Sequence, residues 1–181
     1  MNQTFDYVVV GAGSAGCPVA NRLSADPKNR VLLLEAGPKD RNIWIHIPIG
    51  YYKNMTTSLS WGFNTEPDKG LNGRSIIQPR GKVLGGSSAI NGLVYIRGQK
   101  EDYNHWRQLG NEGWSYDEVL PFFKKAESQE NGANDFHGSS GPLQVSNIRD
   151  KREICDAFID AAVEAGIPYN DDFNGATQEG V

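Results

Sequence analysis

Three glycines at a characteristic spacing, Gly11, Gly13 and Gly16, are the first residues whose types suit them to bind a ligand. They follow the apolar run Tyr7–Val10 and open a segment with helical periodicity. Gly11 permits a tight turn, Gly13 lets the backbone approach a pyrophosphate, and Gly16 allows the helix to pack on the strand. The first helical turn would aim unpaired N–H groups and a positive dipole end at phosphates. The pattern predicts a dinucleotide site whose loop contributes Gly11, Gly13, Ser14, Ala15 and Gly16.

An acidic residue completes this motif. A second apolar run, Val31–Leu34, stops at Glu35, where a carboxylate can accept hydrogen bonds from ribose hydroxyls. A Gly-rich turn without any ligand is the alternative. We favour the dinucleotide site because strand, turn, helix, strand and acid occur in the order that the motif requires.

Composition and charge exclude several classes of protein. The chain has 181 residues, a net charge of −4 and a pI of about 5.4, which argues against a nucleic-acid partner. The N-terminal apolar stretch is too short for a membrane span and lacks the basic leader of a signal peptide. Two cysteines, Cys17 and Cys155, form no C-x-x-C pair, so we expect neither a disulfide framework nor a metal site. A reducing, cytoplasmic location fits best.

A second Gly-rich stretch, Arg80–Gly92, leaves its backbone N–H groups available, and Ser87 or Ser88 can cap a short helix there. The residues alone do not decide between a ligand-lining loop and a flexible one. Elsewhere the sequence predicts a short extended piece at 43–49, a turn at Leu71–Arg74, and strands at Ser75–Gln78 and Leu143–Val145. It also predicts a helix at 100–109 and a second helix that is opened by Ser115 and Glu118 and runs to about Glu127. A last helix is opened by Asp150 and Glu153, buries Ile154, Phe158 and Ala162, and stops at Gly166.

The fold class predicted is α/β, or α+β overall, with a Rossmann-like βαβ unit at its start. No second strand–helix–strand unit follows Glu35. Because a parallel sheet needs more than two strands and helices over both faces, the missing strands must come from residues beyond Val181 or from another chain. We therefore expect this chain to be one part of a longer or split protein.

Two motifs together resemble the glucose-methanol-choline (GMC) family of flavin oxidoreductases. The opening is similar to the family's FAD fingerprint, and Gly81–Asn91 is similar to its first signature. The resemblance extends over all 181 residues, including 61–67, 113–115 and 137–143, and is strongest for the choline dehydrogenase and alcohol dehydrogenase (acceptor) branch. It implies the N-terminal part of a GMC FAD-binding domain, with an ADP-binding βαβ unit at 1–36, a flavin-contacting insert at 37–110, and a helical and loop segment at 111–181 that leads toward the substrate domain.

The resemblance also implies FAD as cofactor and assigns residues to it. Glu35, with Ala36 beside it, would hold the adenosine ribose. The second Gly-rich stretch would run along the pyrophosphate and flavin through Arg80, Gly81, Val83, Gly85, Gly86 and Ser87, and pass close to the isoalloxazine ring at Asn91, Gly92, Leu93 and Val94. Trp61 is a further candidate for contact with flavin or substrate, although aromatic packing is an equal alternative. Some relatives carry a flavin-linked histidine where this chain has Ile90, so we expect non-covalent FAD.

The implied reaction is oxidation of a primary alcohol, choline or another, by hydride transfer to the flavin, which then reduces oxygen or a quinone. The family's catalytic histidine lies near its C-terminus, so we expect the catalytic residues beyond Val181. We expect His105 to lie on a solvated helix face, His137 to make a structural hydrogen bond and His46 to make a partly buried polar contact, and no metal is expected. The resemblance implies an alcohol substrate, the rest of the fold as a partner, and peripheral association of the full-length protein with the inner membrane face. Alternatives are a non-catalytic or split FAD-binding fragment, a fatty-acid photodecarboxylase-type flavoprotein, and a bare NAD-binding domain.

Overall fold

The computed structural model describes residues 3–181, which form two compact units, one running to Val94 and the other comprising Tyr95–Val181. Both units mix helices and short strands, as predicted. The N-terminal unit contains β1 (Tyr7–Val10), α1 (Gly16–Leu23), β2 (Val31–Leu34), α2 (Ile43–His46), α3 (Tyr51–Asn54), β3 (Phe63–Asn64) and β4 (Ile77–Gln78), with 3-10 turns at Pro48–Gly50, Lys69–Leu71 and Gly86–Ala89.

The predicted βαβ unit forms as expected. Strands β1 and β2 pair in parallel, with Tyr7 opposite Val31 and Val10 opposite Leu34. β-branched and leucine side chains favour such strands, but the pair has no third strand among the described residues. Val10 consequently remains 80% exposed. Parallel sheets normally have both faces covered, so this exposure agrees with the expectation that further elements complete and cover the sheet.

The core of the N-terminal unit lies next to the second Gly-rich stretch. Leu59, Val83 and Ile90 are buried together, and Ile45 and Ala89 pack against them. Two of the three buried residues belong to the Gly-rich stretch itself. This stretch is therefore anchored by its apolar side chains rather than flexible along its whole length.

Local turn chemistry explains one correct and one wrong prediction. The β3–β4 pair is antiparallel, and Asn72 (φ 55°) and Gly73 (φ 73°) both take the positive φ expected of this turn. The extended piece predicted at 43–49 is wrong, because α2 begins there. The Asn42 side chain accepts the N–H of Trp44 and caps the helix, and Pro48 opens a 3-10 turn.

The C-terminal unit contains α4 (Lys100–Gln108), α5 (Tyr116–Ala126), β5 (Glu127–Gln129), β6 (Leu143–Val145) and α6 (Glu153–Glu164). Strands β5 and β6 are parallel, with Glu127 opposite Leu143, and their connection contains no helix. The sequence pattern did not reveal β5, which is only three residues long. None of the helices in residues 3–181 is both long and apolar enough to cross a membrane.

The start and the buried face of α6 differ from the prediction. Arg152 is the N-cap residue and makes no side-chain cap, while the Asp150 carboxylate pairs with the Arg152 guanidinium at 2.6 Å. The predicted capping box is wrong because α6 begins at Glu153, so Arg152 rather than Asp150 occupies the N-cap position. Ile154 is 76% and Phe158 68% exposed, so the predicted burial is also wrong for the described residues. An apolar helix face needs a partner element, and residues 3–181 supply none for it.

The capping box of α5 is confirmed and carries a pH prediction. The Glu118 carboxylate accepts the N–H and hydroxyl of Ser115 at 3.0 and 2.6 Å, and these two bonds lower the pKa of Glu118. A lowered pKa means that this stabilisation is complete above the carboxyl's unfolded pKa and is lost as the pH falls below about 4. We expect wild type and Ser115→Ala to differ in thermal stability at pH 7 and to converge toward pH 3 in circular dichroism melts. A constant difference over this range would contradict the assignment.

Candidate dinucleotide site

The two Gly-rich loops of the N-terminal unit meet backbone to backbone. The Gly85 N–H donates to the Ala12 carbonyl at 2.7 Å. A Cβ added to Gly86 would lie 2.7 Å from the Gly13 Cα, closer than real Cβ atoms come to other atoms. Segments far apart in sequence thus form one continuous backbone surface. Most of the predicted site residues lie on these two loops.

Four consecutive N–H groups at the start of α1 have no acceptor among residues 3–181. They belong to Gly13, Ser14, Ala15 and Gly16. Unpaired N–H groups at a helix N-terminus, together with the helix dipole, favour an anion. The loop therefore has the donor set that a pyrophosphate requires.

The three motif glycines are required for different reasons. Gly11 has a φ of 93°, which glycine adopts without strain. A Cβ at Gly16 would overlap the Gly11 carbonyl, so this glycine is needed for packing of α1 on the strand. A Cβ at Gly13 would find its nearest atom, the Gly86 Cα, at 3.8 Å, an ordinary contact. The protein fold leaves room at Gly13, and this open space before the free N–H groups fits a dinucleotide pyrophosphate.

Glu35 ties the first loop to the segment that follows β2. Its Oε2 accepts the Ala12 N–H and its Oε1 accepts the Gly37 N–H, both at 2.8 Å. A carboxylate has about four lone-pair sites, so two remain for ribose hydroxyls. The predicted ribose role stays a prediction, and the structure adds a positioning role that the sequence did not reveal.

Glu35→Gln is expected to destabilise the protein by about 1–3 kcal/mol, because the new NH₂ group must face one of the two N–H donors. The substitution should also weaken FAD binding. Urea unfolding of the complete protein measures the first effect and flavin titration the second. Glu66→Gln, at an exposed position, is the control and should change neither quantity. Equal stability of the Glu35 and Glu66 variants would contradict the positioning role.

The segment that contains Trp61 lies beside the second Gly-rich loop. The Trp61 N–H donates to the Arg80 carbonyl at 2.9 Å, and the Lys82 Nζ lies 4.6 Å from the Trp61 ring centroid. The Ser87 hydroxyl accepts the Gly81 N–H at 3.1 Å and contacts the Arg80 guanidinium at 3.4 Å. The structure therefore brings together the predicted site residues from 61 to 87.

The remaining predicted residues differ in accessibility. Val83 is fully buried in the core, so any contact with a cofactor would use its backbone. Leu93 has a φ of 64°, which is strained for a bulky side chain, and the Asn91 side chain accepts its N–H at 3.0 Å. The other members of this group, Ala36, Gly92 and Val94, are exposed.

A buried charged cluster in the C-terminal unit was not predicted as a unit. The Glu127 carboxylate, which is fully buried, accepts from the Arg97 guanidinium at 2.8 Å and contacts the His137 Nδ1 at 3.0 Å. The His137 Nε2 contacts the Asp172 carboxylate at 2.9 Å. The structural hydrogen bond predicted for His137 is confirmed. Buried charges persist only when they are paired in this way, so removal of one partner would leave an uncompensated buried charge.

Two further side chains near the cluster, Asn174 and Gln178, bond to the backbone around Arg97. The Asn174 side chain accepts the Arg97 N–H at 2.8 Å and donates to the Tyr95 carbonyl at 3.0 Å. The Gln178 amide donates to the Arg97 carbonyl at 2.7 Å. The segment that contains Asn174 and Gln178 is thus attached to the 95–97 backbone through its side chains.

Comparison with known proteins gives a consistent family. The sequence pattern of the family described as GMC oxidoreductase matches residues 5–181. The chain is 51% identical over 179 residues to alcohol dehydrogenase [acceptor] from Pseudomonas putida, and 50% identical over 183 residues to oxygen-dependent choline dehydrogenase from Photobacterium profundum. These alignments cover 98% and 99% of this chain but 32% of each relative. The chain spans about a third of the length of these relatives.

Solved structures share the same fold. Pyridoxine 4-oxidase from Mesorbium loti superposes with a TM-score of 0.92 at 35% sequence identity. The superposition covers 98% of this chain and 35% of the oxidase. The two units described above therefore have the architecture of one part of a larger enzyme fold.

Proposed function

Because this chain belongs to the GMC oxidoreductase family, we propose that it is the FAD-binding part of an alcohol-oxidising flavoenzyme and holds the cofactor at its paired Gly-rich loops. GMC oxidoreductases bind FAD. The observation that carries the proposal is the row of four unpaired N–H groups at Gly13–Gly16, with open space at Gly13. A backbone that offers donors and space without a protein partner suits a bound pyrophosphate.

The proposed site divides the dinucleotide between the two loops. The first loop and Glu35 bind the ADP half, and the second loop directs the flavin toward Asn91 and the exposed residues after it. Ile90 is 3% exposed and has no group that could bond to flavin, which supports non-covalent binding. The predicted division into an ADP-binding unit at 1–36, a flavin-contacting insert at 37–110 and a C-terminal segment at 111–181 is part of this proposal.

Bound FAD supplies the acceptor for a hydride from the alcohol carbon. The residues of this chain bind and orient the cofactor. The base that takes the alcohol's proton is expected in the part of the fold beyond Val181. The alcohol, choline or another, and the electron acceptor, oxygen or a quinone, are proposals that rest on the relatives. Cytoplasmic location and association with the inner membrane face also stay predictions, and cell fractionation tests them.

A second candidate function is that of a split flavoprotein subunit, which needs its partner chain for activity. The observation that favours it is the exposed apolar face of α6, where Ile154 is 76% and Phe158 68% exposed, because a partner chain could cover such a face. The two proposals are distinguished by co-expressing this chain with the remaining two thirds of the fold as a separate chain. Flavin retention by the pair alone supports the split form, and retention by a continuous polypeptide supports the first proposal.

The decisive experiment purifies the complete protein that contains this chain. We expect a yellow protein whose flavin absorbance is released by acid or heat and whose activity appears with alcohols and an electron acceptor. A complete protein that copurifies without flavin and does not bind added FAD would contradict the proposal.

A further inference from the structure

A third backbone segment, residues 35–38, lies directly against the second Gly-rich loop. The Leu84 N–H donates to the Pro38 carbonyl at 2.9 Å. Next to this bond, a Cβ added to Gly37 would fall well inside 3.0 Å of the carbonyl carbon and oxygen of Lys82 and the nitrogen of Val83. The two backbones touch at Gly37 with no space for a side chain.

Glycine is required at position 37 because there is no space for a side chain, and not because of its backbone conformation. The φ of Gly37 lies outside the left-handed region, so this angle does not itself require glycine. The obstruction is main chain, which cannot rotate away as a flexible side chain can. Since ordinary contacts begin at 3.4 Å and the Lys82 carbonyl oxygen would lie 2.0 Å away, alanine at this position must separate the two backbones by about 1.4 Å.

Gly37 also connects the two halves of the proposed site. Its N–H donates to Glu35, whose other carboxylate oxygen accepts the Ala12 N–H. On its other side it contacts the loop that carries Gly85 and Gly86. We propose that Gly37 is a positioning residue for FAD, whose missing side chain sets the distance between the ADP-binding loop and the second Gly-rich loop. This inference rests on the proposed function, and displacement by about 1 Å is enough to weaken binding of a ligand that spans both loops.

The test compares Gly37→Ala with Lys39→Ala, an exposed neighbour, in the complete protein after removal of its flavin. Titration with FAD should give a dissociation constant at least tenfold higher for Gly37→Ala and an unchanged one for the control. At saturating FAD the visible circular dichroism of the bound flavin should also change in Gly37→Ala, because the ring environment depends on the loop spacing. A purely structural role would lower the unfolding temperature of the flavin-free protein without changing either quantity.

A second measurement needs no variant, in case Gly37→Ala does not fold. Hydrogen exchange of the wild type should slow in peptides covering 36–38 and 82–86 when FAD is added. No change in these peptides, or a wild-type dissociation constant for folded Gly37→Ala, overturns the inference. Failure of the wild type to bind FAD overturns the proposed function instead, so the two failures are distinguishable.

Discussion

Gly13→Ala is expected to abolish flavin retention in a protein that still folds. The new methyl group has an ordinary contact of 3.8 Å with the Gly86 Cα, so the fold accommodates it. It occupies the space through which a pyrophosphate must approach the free N–H groups of the loop. We expect at least a hundredfold weaker FAD binding, measured by the ratio of flavin to protein absorbance and by titration, with little change in the unfolding temperature of the flavin-free protein.

Gly16→Ala is the matched comparison. Its methyl group overlaps the Gly11 carbonyl, so it should destabilise the flavin-free protein as well as reduce flavin content. Together the two variants distinguish a glycine that leaves space for a ligand from a glycine that the packing of the helix requires. A Gly13→Ala protein with a full complement of FAD would show that this loop does not hold the pyrophosphate.

Glu127→Gln is expected to destabilise the C-terminal unit by about 3–5 kcal/mol, the usual cost of breaking a buried charge pair. Glu127 is fully buried and accepts from Arg97, His137 and the Gly138 N–H. The glutamine oxygen can replace only part of this set, and its NH₂ group faces donors. Urea unfolding of the complete protein, followed by a probe in the C-terminal unit, measures the loss.

Glu112→Gln provides the control for that measurement. Its carboxylate lies 3.9 Å from the Arg107 guanidinium and is 86% exposed. Exposed pairs contribute about 0–1 kcal/mol, so this variant should remain close to wild type. Equal losses in the two variants would mean that the buried cluster contributes no more than a surface ion pair.

Sequence reasoning succeeded where a local pattern determines the structure. The βαβ unit follows from apolar periodicity and glycine spacing, and the β3–β4 turn follows from Asn72–Gly73. It failed at 43–49, where two local signals compete. Alternating isoleucines at 43–49 suggested an extended piece, but the Asn42 cap and Pro48 impose helical turns.

The candidate site shows a different limit, which is contact between residues far apart in the sequence. The dinucleotide loop was predictable, whereas the role of Gly37 depends on its contact with a loop some 45 residues away. The charged cluster was hidden because Glu127 and Asp172 lie on either side of His137, separated from it by 10 and 35 residues. The glycine that follows His137 is a local signal in the sequence, but its lack of room for a Cβ beside the Lys124 carbonyl is visible only in the structure.

The attachment of the C-terminal segment has a consequence for synthesis on the ribosome. The bond from Gln178 to the Arg97 carbonyl spans 81 residues. At about 5–20 residues per second, a nascent chain needs about 4–16 s to make the second partner after the first. During that interval the 95–97 backbone has neither Asn174 nor Gln178 to bond with. The C-terminal unit therefore cannot complete these bonds until its last residues have been synthesised.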